Sequence, residues 1–275
     1  MGSTSPWSRR SLPYWTEMHY LDCTSHETAL ASVSKILQVT QTELADGLAT
    51  IRWDDDDEIA PGMKYPDLWN RCRREWLTQV LPEELGCEER LEDFGTCWFH
   101  ATRIPKTTDY GVHGLLPNQD VQSVLLDVLK TMFKEEGLPG SWDTLSTSAE
   151  KSMVLTARHD PDDNGPHGWL VREYLLQGGA EGRGYLEIPE YVALFCRAMP
   201  GVGSQLEDLY KAKTHQGIVK FRVVQRRFRN LALQTAVWYL HRKAHGNGLD
   251  RSCAQGVSCN GKAVPPEDVF PIEWL

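Results

Sequence analysis

The apolar positions of this chain change their period near residue 90, and that change sets the expected architecture. Before it, Leu30, Val33 and Leu37 recur at helical spacing behind Thr24 and Glu27, a pair spaced as a capping box. Thr40 and Glu43 repeat the box, with Leu44, Leu48 and Ile51 behind them. The short link at Gln38-Val39 makes the two an αα-hairpin. A third helix is expected from Pro66, with Leu68, Trp69, Cys72, Trp76 and Val80 on its inner face. Residues 1–90 are therefore expected to form a helical N-terminal region.

From Leu91 strand and helix patterns mix. Thr96–Thr102 alternates, placing Cys97, Phe99 and Ala101 on one face and Trp98, His100 and Thr102 on the other. A helix is expected over Asp120–Glu136, with Val121, Leu125, Val128, Met132 and Phe133 inward. Arg158–His167 is rich in Asp, Pro, Asn and Gly and reads as a loop. Gly168–Leu176 reads as a second strand, followed by a glycine-rich turn. Pro189 opens a helix carrying Val192, Phe195, Cys196 and Met199, and Ser204 caps another carrying Leu206, Leu209 and Tyr210. Gly217–Val224 reads as a third strand. Asn230 caps a helix through His245, with Gly246 as its stop, and a final strand follows over Val269–Trp274. Strands and helices intersperse without strict βαβ order, which predicts an α+β domain over residues 91–275, its mixed sheet flanked by helices.

Composition narrows the function. The chain has 275 residues, 41% of them hydrophobic, enough for a sizeable core. Its formal net charge of -9 disfavours non-specific nucleic-acid binding. No apolar run approaches the ~20 residues of a membrane span. The N-terminus lacks the apolar stretch of a signal peptide, so a cytoplasmic protein with no membrane partner is expected. Seven cysteines, an odd number without a dense framework, fit reduced thiols. The acidic run Asp54–Glu58 reads as a solvated loop, with cation binding as the alternative. A basic run of Lys220, Arg222, Arg226, Arg227 and Arg229 fits a phosphate-bearing ligand or a solvated strand edge and turn.

The candidate chemistry centres on His100. An imidazole at a strand end can hydrogen-bond a ribose hydroxyl or serve as acid or base, with Trp98 and Thr102 beside it on the same face. A satisfied sheet histidine is the plain alternative. The stretch Trp98-Phe99-His100-Ala101-Thr102, followed by Gly114-Leu115-Leu116-Pro117, resembles the opening of the ADP-ribosyltransferase fold, the group of poly(ADP-ribose) polymerases and RNA 2′-phosphotransferases. The resemblance covers residues 96–117. It implies a cleft for NAD or a related nucleotide and, for an active member, ADP-ribosyl transfer in a toxin or defence setting. His100 would hold ribose, with Ala101 and Thr102 alongside. Trp169 or Tyr174 would stack on the base, and Glu173 would stand in as the carboxylate. The chain departs from the family pattern in two places. Ala101 replaces a glycine, and no glutamate lies between His245 and Pro266. The acceptor is not defined by the sequence.

Two further clusters stand out. His241 and His245, four apart on a helix, followed by Cys253 and Cys259, could close a structural zinc site. Two solvated histidines at a helix C-terminus and two unrelated thiols explain them otherwise. His159, Asp160, Asp162, Asp163 and His167 share one loop that reads as a cation site or a plain polar loop. P-loop, GxGxxG and GxSxG motifs are absent. The competing functions are a non-catalytic interaction protein with a zinc staple and a DNA-associated regulator using the Thr24–Ile51 hairpin. The second is disfavoured because Glu43 and Asp46 would face phosphates.

Overall fold

The computed structural model describes residues 18–51, 74, 77, 78, 81, 94–156, 164–177 and 186–275. Strand β1 (His19–Leu21) leads into helices α1 (His26–Leu37) and α2 (Gln41–Thr50). Then come the long strand β2 (Phe94–Ile104), a short α3 (Tyr110–His113), α4 (Asn118–Glu135) and α5 (Trp142–Thr156). Strand β3 (His167–Trp169), α6 (Arg172–Gln177), α7 (Glu190–Ala198) and α8 (Gly203–Lys213) follow. The chain ends with β4 (His215–Val223), α9 (Arg226–Ala244), β5 (Gly256–Ser258) and β6 (Glu273–Trp274). The class is α+β, as the pattern of apolar positions implies.

One sheet organises the molecule, in the order β5-β3-β2-β4-β6. Neighbours along that order are antiparallel, and β1 adds to β2 in parallel at Phe94–Thr96. The described part of residues 1–90 holds one short strand besides its helices. It supplies β1 to the sheet, and α1 and α2 pack on α9 in one apolar core with Trp98, Val219 and Phe221. Helices α4, α5, α7 and α8 form a second core around Phe133, Trp142, Phe195 and Tyr210. Arg103 at the end of β2 couples that core to the sheet. Its guanidinium donates to the Lys211 carbonyl and to Thr214 Oγ1 at 3.1 Å, while Tyr210 donates to the Arg103 carbonyl.

Local chemistry explains the element starts. Thr40 Oγ1 accepts the Glu43 amide at 3.1 Å and Glu43 accepts the Thr40 amide at 2.8 Å, the expected box. At α1 the cap is Ser25 with Thr28, one residue beyond the expected Thr24 and Glu27, because Asp22 binds both the amide and the hydroxyl of Thr24. Helix α8 begins at Gly203 behind Val202, so Ser204 lies inside its first turn. Helix α9 begins at Arg226, which places Asn230 within the helix. The expected strand over Gly168–Leu176 is corrected as well. Only His167–Trp169 pairs in the sheet, and Arg172–Gln177 is helical. The expected helix from Pro66, the acidic run Asp54–Glu58 and the loop residues His159, Asp160, Asp162 and Asp163 lie outside the described residues, apart from helical positions at 74, 77, 78 and 81.

Candidate functional site

Cross-strand register decides which candidate residues can meet. His100 pairs with Val219 across β4, and Trp98 pairs with Phe221. These residues share the face covered by α1, α2 and α9. Phe99 pairs with Trp169 on β3, so Trp169 lies on the opposite face, where Phe99, Ala101 and Ile218 pack against Leu175 and Leu186. Tyr174 faces the Trp169 ring at 6.4 Å. The structure therefore separates His100 from Trp169 by the thickness of the sheet, while Tyr174 packs against the core that contains Trp98, Val219 and Phe221.

Glu173 is also committed elsewhere. It accepts from Tyr239 at 3.1 Å and from Gln177 at 2.9 Å, and it pairs with Lys243. This carboxylate fastens α6 to α9 rather than standing beside His100. Trp98, expected to offer a stacking surface, is 2% exposed and belongs to the apolar core. Thr102 is buried, with its hydroxyl 3.4 Å from the Tyr110 hydroxyl.

His100 itself is half-buried, and its Nδ1 lies 2.8 Å from the His167 carbonyl oxygen. A carbonyl only accepts, so Nδ1 carries the proton. Burial pulls the imidazole below its ordinary value, against the opposing effect of the carbonyl bond. The ring is neutral at pH 7, and Nε2 is left as a lone-pair acceptor. Nε2 has no hydrogen-bond partner among the described residues.

Gly168 lets β3 pack closely over Phe221 and Trp98. A Cβ there would lie 2.6 Å from the Phe221 ring and 3.0 Å from Trp98 Cβ. Three connecting segments gather at the same end of β2. Tyr110 meets Thr102, the Asn118 amide donates to the Asn164 carbonyl at 3.0 Å, and Leu115 bridges Val264. The sequence motif Gly114–Pro117 is thus held next to the segment entering Pro265-Pro266. Sequence reasoning missed the His167 carbonyl, which sets the tautomer. A backbone acceptor leaves no trace in residue type; only the register of β3 reveals it.

The residues expected to bind zinc do not form a four-residue cluster. His241 Nε2 lies 2.9 Å from the Ile51 carbonyl, and His245 Nε2 lies 3.0 Å from the same oxygen and 3.1 Å from that of Leu48. Both rings, 4.5 Å apart, close the C-terminus of α2, whose last carbonyls have no helical partner. Cys253 and Cys259 are free buried thiols, and burial pushes them up to about 12 and about 11. Among the described residues no group of three or more His, Cys, Asp or Glu side chains is placed to hold a metal ion. Removing this histidine clamp should cost stability without any metal being involved. His245→Ala is expected to lower stability by roughly 1–2 kcal/mol in calorimetry, with a chelator leaving the intact chain's melting unchanged.

Helix α2, the second helix of the hairpin, carries no basic side chain. The exposed positions of α2 include Gln41, Thr42, Glu43 and Asp46. Among the described residues no helix is long and apolar enough to cross a membrane. The chain matches no family model, no curated protein and no solved structure.

Proposed function

We propose that this chain binds NAD or a related nucleotide at the His100 end of β2, as a protein of the ADP-ribosyltransferase-like kind. One observation carries the reading. His100 is a neutral imidazole with its proton fixed on Nδ1 and its Nε2 lone pair without a hydrogen-bond partner among the described residues. That is the acceptor a ribose hydroxyl requires. Two features accord with it. β3 pairs antiparallel with β2 at Phe99 and Trp169 and begins at His167, so β2 runs on toward Ile104 past the end of that strand. The Cβ of Ala101 points to the Phe99 face, so the alanine in place of the family's glycine does not fill the His100 side. Glu173 takes no part in this reading. It concerns binding, and a transfer step would need a carboxylate from elsewhere.

Calorimetric titration of the full chain with NAD tests it. Binding is expected in the intact protein and should weaken at least about tenfold in His100→Ala, the loss of one acceptor to a ribose hydroxyl. His100→Gln controls for the His167 carbonyl by keeping a donor in reach. No NAD heat in the intact chain, or unchanged affinity in both variants, would refute the proposal.

The same group sets a pH dependence. The folded His100 titrates below its unfolded value near 6.5. Its contribution to stability is full above that value and is lost as pH falls through the folded one, because the unfolded chain takes up the proton first. NAD affinity should be flat through neutral pH and fall only once the folded ring charges. Thermal melts and titrations from pH 8 to pH 5 check both, with His100→Gln removing the dependence.

A further inference from the structure

The basic run noted in the sequence does not act as one patch. Lys220 pairs with Asp22 and lies 5.1 Å from the Phe270 ring. Arg222 pairs with Asp268 at 3.2 Å, donates to the Glu267 carbonyl at 2.8 Å, and sits between the Tyr20 and Phe270 rings. These two charges are neutralised on the Phe99 face. Arg227 goes elsewhere. With Gln225, Phe228, Cys259, Asn260 and Lys262 it lines an open cleft of about 310 Å³.

The cleft has the chemistry of an anion site. Arg227 and Lys262 are both exposed, and neither has an acidic partner among the described residues. Two unpaired cations sharing one recess is a notable concentration in a chain of formal net charge -9. Arg227 stands in the first turn of the 19-residue helix α9, whose N-cap Gln225 makes no side-chain cap bond. The Phe228 amide donates to the Gln225 carbonyl at 3.3 Å, which leaves the amides ahead of it as donors at the positive end of the helix. Cys259 on the floor is a protonated thiol at neutral pH and adds no negative charge. The volume falls at the lower end of small-molecule sites and exceeds what a bare ion needs.

We propose that this cleft binds the phosphate group of a small phosphorylated molecule, with Arg227 and Lys262 supplying charge and the first amides of α9 supplying directed donors. The site is chemically independent of His100. The turn carrying Asn260 and Lys262 is nonetheless anchored to the strand His100 bonds, through Cys259 and Gly261 amides on the Pro166 and Gly165 carbonyls.

Inorganic pyrophosphate is the probe, because it carries the phosphate chemistry and no ribose. Calorimetric titration of the full chain at low salt should show saturable binding that weakens as salt rises. Arg227→Glu and Lys262→Glu should each weaken it by about tenfold or more, with unchanged circular-dichroism melts. Lys262→Gln, a milder change on an exposed turn, should weaken it in the same direction. His100→Ala should bind pyrophosphate as the intact chain does. No pyrophosphate binding, or charge-reversal variants that bind like the intact chain, would overturn the assignment. Loss in His100→Ala with the charge variants unaffected would also overturn it, since it would place the phosphate in the His100 recess.

Discussion

Gly114→Ala should destabilise this protein by on the order of 3 kcal/mol or more, and thermal denaturation will read it. Gly114 has φ 69° and ψ -165°, a backbone region open to glycine and strained for any L side chain. Space is lacking as well as conformational freedom. A Cβ at this position would lie 2.0 Å from the Val264 carbonyl oxygen. That oxygen already accepts the Leu115 amide at 3.0 Å, and the Val264 amide returns a bond to the Leu115 carbonyl at 2.9 Å. Alanine must break this two-bond bridge or twist the turn out of register. The bridge holds the Gly114–Pro117 motif at the end of β2, so any NAD binding at His100 should fall with it. A Gly114→Ala protein that melts like the intact chain would show that the bridge contributes nothing.

Trp98→Ala is the second large effect, about 3–5 kcal/mol by the usual cost of deleting a buried aromatic side chain. Trp98 is among the largest fully buried side chains, packed in the core that joins the sheet to α1, α2 and α9. Strand alternation, which places it beside His100, cast it as part of the binding surface. Its burial assigns it to stability instead. Trp98→Phe should keep most of the stability and leave ligand affinity unchanged. A loss of affinity in Trp98→Phe without a loss of stability would return this ring to the ligand.

The difference between those two roles was beyond the sequence because alternation identifies a face, not what covers it. The period of Thr96–Thr102 located β2 and sorted its faces correctly. The Thr40–Glu43 box and Pro189 located their helices for the same reason: caps and prolines act locally. Gly168–Leu176 failed because Leu170, Val171, Tyr174 and Leu175 satisfy both a strand-like composition and an i, i+3, i+4 spacing. Pairing between His167–Trp169 and β5, a long-range event, fixed where the strand stops. Helix α5 went unread because its Ser- and Thr-rich sequence masks an apolar stripe of Trp142, Leu145 and Ala149. That stripe is defined by packing, with Trp142 placed 5.5 Å from Phe133 and 5.8 Å from Phe195.

The site follows the same division. His100 was legible as an imidazole near a strand end. Its tautomer was not, since a main-chain oxygen 67 residues away determines it. His241 and His245 were legible as a pair on one helix face, yet their target is the end of α2, far removed in sequence. Spacing brings two donors to one place, and only the tertiary fold says what they donate to.

Nitrogen-15 NMR of the imidazole rings, recorded at neutral pH with and without NAD, examines the His100 proposal at the atom it depends on. The expected spectrum has His100 as the Nδ1–H tautomer, with its Nε2 resonance shifting on NAD addition as the lone pair accepts a hydrogen bond. A protonated or Nε2–H ring at neutral pH, or an Nε2 resonance indifferent to saturating NAD, would contradict it.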